Sequence, residues 1–386
     1  MSEFRTIREL CSVVVDCPHS TPKWTANGKI VIRNKNIKHG KIDFSSPSYT
    51  DDEHFAQRIK RAKPQPGDII ITREAPIGDV GMIPENTECC LGQRMVLLRA
   101  NQSVCDNFYL LYSLQSLYVQ HQISWSEGTG TTVSNLRIPH LEQIQIPYLP
   151  LEQQAKISSV LRALEEKIEN NRRLNDNLQQ QAAALFSSLY DRTNTEVRFT
   201  DLIQILGGGT PKTGENTYWN GNIAFFTPKD VGTPYTLITE KTITEEGLSH
   251  CNSRLYPVNT VFVTARGTVG KVSMSGVPMA MNQSCYALVG KETHQLLVYF
   301  YTLKAVDRLK HKASGAVFDA ITTRDFESEQ IMKLSDDDAK AFLCIAEPMF
   351  QKVLNNCIEN LRLSTLRDSL LPKLMSGEVD VSAVQL

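Results

Sequence analysis

Pro66-Gly67-Asp68-Ile69-Ile70-Ile71-Thr72 leads through Arg73-Glu74-Ala75-Pro76 into Ile77-Gly78-Asp79-Val80; Val258-Asn259-Thr260-Val261-Phe262-Val263-Thr264 leads through Ala265-Arg266-Gly267-Thr268 into Val269-Gly270-Lys271-Val272. The stretches align without a gap at an offset of about 190 residues, Thr72 on Thr264 and Gly78 on Gly270. Working outward, Leu141–Ile146 pairs with Phe326–Ile331, and Ile168-Glu169-Asn170 recurs as Ile358-Glu359-Asn360. A period this long excludes a solenoid and points to one mixed domain plus one helix, written twice.

The first mixed segment has strand-like runs at Ile30-Val31-Ile32, Asp68–Thr72 and Met95–Leu98, and turns at Asn27-Gly28, His39-Gly40 and Ser45-Ser46-Pro47. Aromatic and aliphatic residues at helical spacing predict helices over Asn107–Ile123 and Gln295–Lys310. Leu151–Tyr190 then lacks glycine and proline. Its apolar positions Ile157, Leu161, Leu164, Ile168, Leu178, Ala182, Leu185 and Leu189 fall at steps of four and three, interrupted by Asn171 and Asn175. At 1.5 Å per residue such a helix runs ~60 Å, more than one head needs.

Its counterpart, Asp336 to about Met375, offers Leu343, Phe350, Val353, Leu354, Ile358, Leu361, Leu366, Leu370 and Leu374, with Pro348 and Pro372 expected to kink or interrupt it. Two such helices can bury their seams on each other. Antiparallel pairing would put the heads at opposite ends, and a central Asn would fix register. The plainer alternative is two unrelated surface helices.

Composition supports two domains in 386 residues, and a net charge of -1 means that nucleic-acid binding must rest on local clusters. Nine scattered cysteines without a C-x-x-C pair fit reduced cytosolic thiols better than disulfides or a zinc cage. Neither a signal core nor a membrane span is legible, so a soluble cytoplasmic protein is expected.

Catalytic motifs are absent: no H-E-x-x-H, G-x-S-x-G, G-x-G-x-x-G, N/D-P-P-F/Y or P-D…E-x-K. Gly207-Gly208-Gly209-Thr210-Pro211-Lys212-Thr213-Gly214 is followed by Glu215, which would repel phosphate where a P-loop needs lysine. The eight histidines lack ligand spacing, and no metal site is expected.

What remains is chemistry for reading. Arg58, Lys60, Arg61 and Lys63 cluster before the Pro66-Gly67 turn; Lys23, Arg33, Asn34, Lys35, Lys38 and Lys41 lie among turns near Trp24, and Arg73 enters the first glycine corner. In the second segment Lys212, Thr213, Lys229, Arg266, Lys271, Lys310, His311 and Lys312 offer phosphate contacts, while Trp219, Phe225 and Phe226 suit a core. Polar glycine loops at Ser126–Thr132, with Thr129, and at Ala313–Ala316 are further candidates. The plain alternative for each is a solvated loop.

The Gly207–Lys212 opening with Tyr218-Trp219, the paired strands ending at Ile77-Gly78 and Val269-Gly270, Ile146-Pro147-Tyr148-Leu149-Pro150-Leu151-Glu152-Gln153-Gln154, and Leu366-Arg367-Asp368-Ser369-Leu370-Leu371-Pro372-Lys373-Leu374-Met375-Ser376-Gly377-Glu378 together resemble the specificity subunit of type I restriction-modification systems. The likeness spans essentially the whole chain. Asp336-Asp337-Asp338-Ala339 departs from the Leu-Glu-Gln-Gln helix entry.

The resemblance implies a mixed α/β chain of two tandem pseudo-repeated target recognition domains, 1–150 and 192–333, separated by helical spacers, 151–191 and 334–386, that form an antiparallel coiled coil. Ile157, Leu161, Leu164, Ile168, Leu178, Leu185, Phe350, Leu354, Ile358, Leu361 and Leu370 would supply the helical interface. The partners implied are double-stranded DNA, two methyltransferase subunits and restriction/translocase subunits. This chain would be non-catalytic and without a cofactor; S-adenosylmethionine, ATP and Mg would belong to partners, one of which flips the target adenine. Each domain would read half of a bipartite asymmetric site. Alternatives are a methylation-only or other defence complex, a protein scaffold that binds no DNA, or a diverged nuclease or methyltransferase.

Overall fold

The computed structural model describes residues 3–38, 40–125, 135–312 and 320–384. The chain forms two compact units, the first Met1–Glu166 with Leu363–Leu386, the second Lys167–Arg362.

In the first unit, strand Met95–Ala100 lies between Cys11–Asp16 and Ile69–Thr72, and Val80–Met82 completes an antiparallel sheet. A smaller sheet pairs Lys29–Ile32 antiparallel to Tyr49–Thr50 and parallel to Cys89–Leu91. The expected strands lie inside these, except that Asp68 precedes the strand Ile69–Thr72. Ile69, Ile70 and Ile71 are all buried, which explains a run of β-branched residues without alternation.

The second unit uses the same order. Cys285–Gly290 lies between Ile203–Gly207 and Val261–Thr264, Val272–Ser275 follows, and Tyr235–Thr236 adds a parallel edge. Trp219–Phe226 pairs antiparallel to Lys241–Ile243 and parallel to Met279–Met281. Phe225 and Phe226 are core residues as expected, with Trp219 half-buried.

The first unit's predicted amphipathic helix is two helices, Asn107–Gln115 and Leu117–Trp125. Ser116 breaks it: its backbone is extended (φ -64°, ψ 146°), and its hydroxyl accepts from Val119 N–H while donating to Ser113 O, competing locally with the helical ladder. The second unit keeps one helix, Gln295–Lys312.

The long helices run Leu151–Tyr190 and Asp336–Ser376. Pro348 and Pro372 do not interrupt the latter. Each removes one N–H, and the carbonyls that lose a donor, at Cys344 and Asp368, belong to exposed residues where water can replace it.

In the second unit Asn171 Nδ2 donates to Glu359 Oε2 (2.8 Å) and Asn360 Oδ1 (2.9 Å), and Asn356 Nδ2 donates to Asn175 Oδ1 (2.7 Å). Numbers rise along one segment as they fall along the other, so the segments run in opposite directions. Phe186 packs on Phe300 (5.0 Å) and Phe342 (5.5 Å), and Phe350 also enters that core. In the first unit Ile157 and Leu161 share a core with Leu374, Met375 and Val381, while Arg367 pairs with Glu165 at 3.6 Å.

Candidate nucleic-acid interface

Thr72 and Gly78 build a closed corner. Thr72 N–H donates to Asp79 O (2.9 Å), Gly78 N–H to Thr72 O (2.9 Å), and Asp79 N–H to Thr72 Oγ1 (3.0 Å). Thr264, Gly270 and Lys271 repeat the three bonds at 3.0, 2.9 and 3.0 Å. Both glycines need positive φ, 82° and 72°, which favours glycine strongly. A helix then clasps each glycine carbonyl: Gln120 Nε2 donates to Gly78 O (3.0 Å) and Lys310 Nζ to Gly270 O (2.9 Å).

A polar turn rests on each corner. Arg33-Asn34-Lys35-Asn36 follows the small-sheet strand, Asn36 Oδ1 accepting from Arg33 N–H (3.0 Å) and Asn34 Nδ2 donating to Glu74 O (2.5 Å). In the second unit Thr227-Pro228-Lys229-Asp230 takes that place: Asp230 Oδ2 accepts from Thr227 N–H (2.8 Å), and Thr268 Oγ1 donates to Pro228 O (3.1 Å). A third loop joins them, through Gly92 N–H to Ile32 O (2.7 Å) and Asn282 N–H to Phe226 O (3.0 Å).

In the first unit these loops enclose a groove of about 270 Å³ lined by Trp24, Arg33, Asn34, Lys35, Gln93 and Arg94. Arg33 lies over the exposed Trp24 ring at 5.0 Å, a cation held against an aromatic face. Lys35 donates to Ser46 Oγ (3.2 Å), and Arg94 pairs with Glu74 (3.2 Å). The chemistry is that of a basic, flat-sided cleft suited to phosphate and base edges. Gln93 and Arg94 are absent from the sequence-derived set; the signal was there, since Gly92-Gln93-Arg94 and Asn282-Gln283-Ser284 both precede the central strand.

The other candidates separate. Lys60, Arg61, Lys212, Thr213, Arg266 and Lys271 are exposed, and none of their cations has an ionic partner among the described residues. Lys23 pairs with Asp51 (3.3 Å), Lys63 with Glu88 (3.0 Å) and Lys229 with Glu240 (3.7 Å), all at the surface. Lys29 and then Lys63 hold the Glu88 carboxyl down at about 2.

Arg58 is buried, donating to Leu91 O (2.8 Å), Ser20 O (2.9 Å) and Pro18 O (3.3 Å), so its guanidinium ties loops together rather than facing a ligand. Arg73 is similarly engaged, with Asp16 (2.9 Å) and Leu136 O (2.8 Å). Lys310 is the Gly270 clasp, and Lys312 pairs with the buried Glu329. Thr129 and the two glycine loops, like His39, lie outside the described residues.

Of the expected helical positions, Ile157, Leu161, Ile168, Phe350 and Leu354 are buried, whereas Leu164, Leu178, Leu185, Ile358, Leu361 and Leu370 are half-buried. Phe186, passed over for Leu185, is the buried member of that turn. Among the described residues no group of His, Cys, Asp and Glu is placed to hold a metal, and no helix is long and apolar enough to cross a membrane.

Residues 3–180 and 192–333 match the type I restriction modification DNA specificity domain. The chain is 23% identical over 342 residues to the type I restriction enzyme MjaIX specificity subunit of Methanocaldococcus jannaschii, covering 82% of this chain and 78% of that one. It is 20% identical to that organism's putative MjaX specificity subunit, across 98% and 94% of the two chains. A solved type I restriction-modification S subunit from M. genitalium has the same fold, with a TM-score of 0.63 at 18% identity over 97% of this chain and 96% of that one. Since the matched domain spans most of the sequence in two copies, the chain belongs to the type I restriction-modification specificity subunits, a non-catalytic family.

Proposed function

We propose that this chain is the DNA address of a type I restriction-modification enzyme, its domains at 1–150 and 192–333 each reading one half of a bipartite, asymmetric DNA target. The observation that carries this reading is the corner built twice from Thr, Gly and a helix clasp, each supporting a polar turn with an exposed lysine, Lys35 or Lys229. Repetition of the scaffold accounts for two readers. Divergence at its rim, Arg33 and Arg94 against Thr227 and Ser284, accounts for two different half-sites.

The segments 151–191 and 334–386 act as an antiparallel coiled coil that sets the gap between half-sites and docks two methyltransferase subunits. Half-sites read in successive major grooves lie roughly 34–36 Å apart, which makes helix length a ruler. Methylation and cleavage then fall to partners: a methyltransferase that uses S-adenosylmethionine on a flipped adenine, and restriction/translocase subunits that use ATP and Mg. The assembly works in the cytoplasm.

The test is to co-express the chain with its methyltransferase in a methylation-free host and map modified adenines. A split motif with a fixed gap, lost when this chain is omitted, supports the reading; an intact S-adenosylmethionine-binding complex that modifies nothing overturns it.

A further inference from the structure

The two long helices begin alike but are furnished differently. In the first unit, Gln154, fourth residue of its helix, is fully buried: its Oε1 accepts from Asp106 N–H (2.9 Å), and its Nε2 donates to Val104 O (3.1 Å) and Leu149 O (2.7 Å). One side-chain amide thus satisfies a donor and two acceptors at the mouth of helix Asn107–Gln115. Ser158, one turn on, donates to Asp106 Oδ1 (2.5 Å).

In the second unit the fourth residue of the long helix is Ala339, and Leu343 stands where Ser158 does. A groove of about 620 Å³ occupies the region, lined by Ala339, Leu343, Glu292, His294, Leu334 and Leu297 among others. The backbone groups matching those that Gln154 satisfies are the N–H of His294 and the carbonyls of Glu292 and Leu334. Among the described residues none of these has a hydrogen-bond partner. Leu297, Leu334 and Tyr301 form a buried floor. The groove therefore pairs an apolar base with one donor and two acceptors that no described protein group takes; Glu292 and His294 are exposed, and Asp201, Lys291, Lys333, Asp336 and Lys340 also line it. A carboxylate cannot donate to the carbonyls, and an alkyl group satisfies nothing.

We propose that this groove is a binding site for a primary carboxamide on a short aliphatic stem, held as Gln154 holds itself in the first unit. Its oxygen accepts from His294 N–H and its NH₂ donates to Glu292 O and Leu334 O. The same chemistry is available from a free small amide or from a glutaminyl side chain of a polypeptide. The inference does not depend on DNA reading.

The test uses the 386-residue chain and n-butyramide, the glutamine side chain with a methyl in place of its Cα, followed by ligand-observed NMR and by thermal melting. Saturable binding with a raised melting temperature is expected, weakened at least ten-fold for butyrate. Ala339→Gln should itself raise the melting temperature and abolish butyramide binding; Ala339→Leu, which fills the space without an amide, should abolish binding through bulk alone. N-acetylglutamine N-methylamide binding more tightly than butyramide would assign a polypeptide source, and the reverse a free amide. No saturable butyramide binding to the native chain, or binding undiminished in both variants, overturns the proposal.

Discussion

Lys310 Nζ donates to the carbonyl of Gly270 at 2.9 Å. An exposed lysine at the end of a helix reads in sequence as a phosphate contact, but here it closes a turn, the task Gln120 performs for Gly78. Lys310→Gln is therefore expected to hold stability within about 0.5 kcal/mol, while Lys310→Met loses about 1 kcal/mol. Urea unfolding separates the two, and a large loss with both would show that charge rather than the hydrogen bond is what counts.

The corner glycines make a second prediction. Alanine at Gly270 would bring a methyl within 3.0 Å of Val306 Cγ1 and 2.6 Å of Lys310 Cε, at φ +72°. Gly270→Ala and Gly78→Ala should each cost roughly 1–3 kcal/mol through forced positive φ and crowding. Unchanged denaturation midpoints would refute this.

Arg33 and Arg58 should behave oppositely. Under the proposed function, Arg33→Ala weakens DNA binding by the assembled enzyme and lowers the salt slope by about 1 if it contacts a phosphate, leaving the melting temperature unchanged. Arg58→Ala strips donors from three carbonyls and should destabilise the fold by roughly 3 kcal/mol. Calorimetry beside salt-dependent binding reads both.

Glu329 is fully buried beside Arg308 Nε (3.0 Å) and Lys312. Lys312→Ala should destabilise by about 1–3 kcal/mol by stranding part of a buried charge. Lys312→Ala with Glu329→Gln should recover much of that, and a double-mutant cycle measures the coupling.

The Glu88 carboxyl, held at about 2 against an ordinary 4.5, sets a pH window. A depressed folded value means that its contribution is present above the unfolded value and fades as pH falls from about 4.5 toward 2. Side-chain NMR should find Glu88 ionised at pH 3.5, and Lys29→Ala should raise its midpoint. The carboxylate is exposed, so the effect on global stability is small.

The long helices were legible to within a residue because an uninterrupted run without glycine and a three-four apolar step are local signals. The expected interruption at Pro348 does not occur, because proline's penalty depends on whether the orphaned carbonyl meets solvent, a tertiary fact. Ser116 misled in the other direction: apolar spacing continues through it, while its hydroxyl gives the backbone another partner. The basic run at Arg58–Lys63 looked uniform. Arg58 follows Phe55 on the inward face of helix Asp52–Arg58, so one cation is spent inside and its neighbours remain outside. The groove was half visible: Trp24, Arg33, Asn34 and Lys35 are neighbours in sequence, whereas Gln93 and Arg94 reach it only through the parallel pairing of Lys29–Ile32 with Cys89–Leu91.

The first unit's core contains Leu374, Met375 and Val381, residues that a ribosome adds after the whole of the second unit. Everything in the second unit has been made by Arg362. The part of the chain begun first is thus finished second, its closing segment made only after the second unit. A chain ending at Arg362 would carry a completed second head and an open first one, so limited proteolysis of that fragment should spare residues 167–362 and cut within residues 1–166.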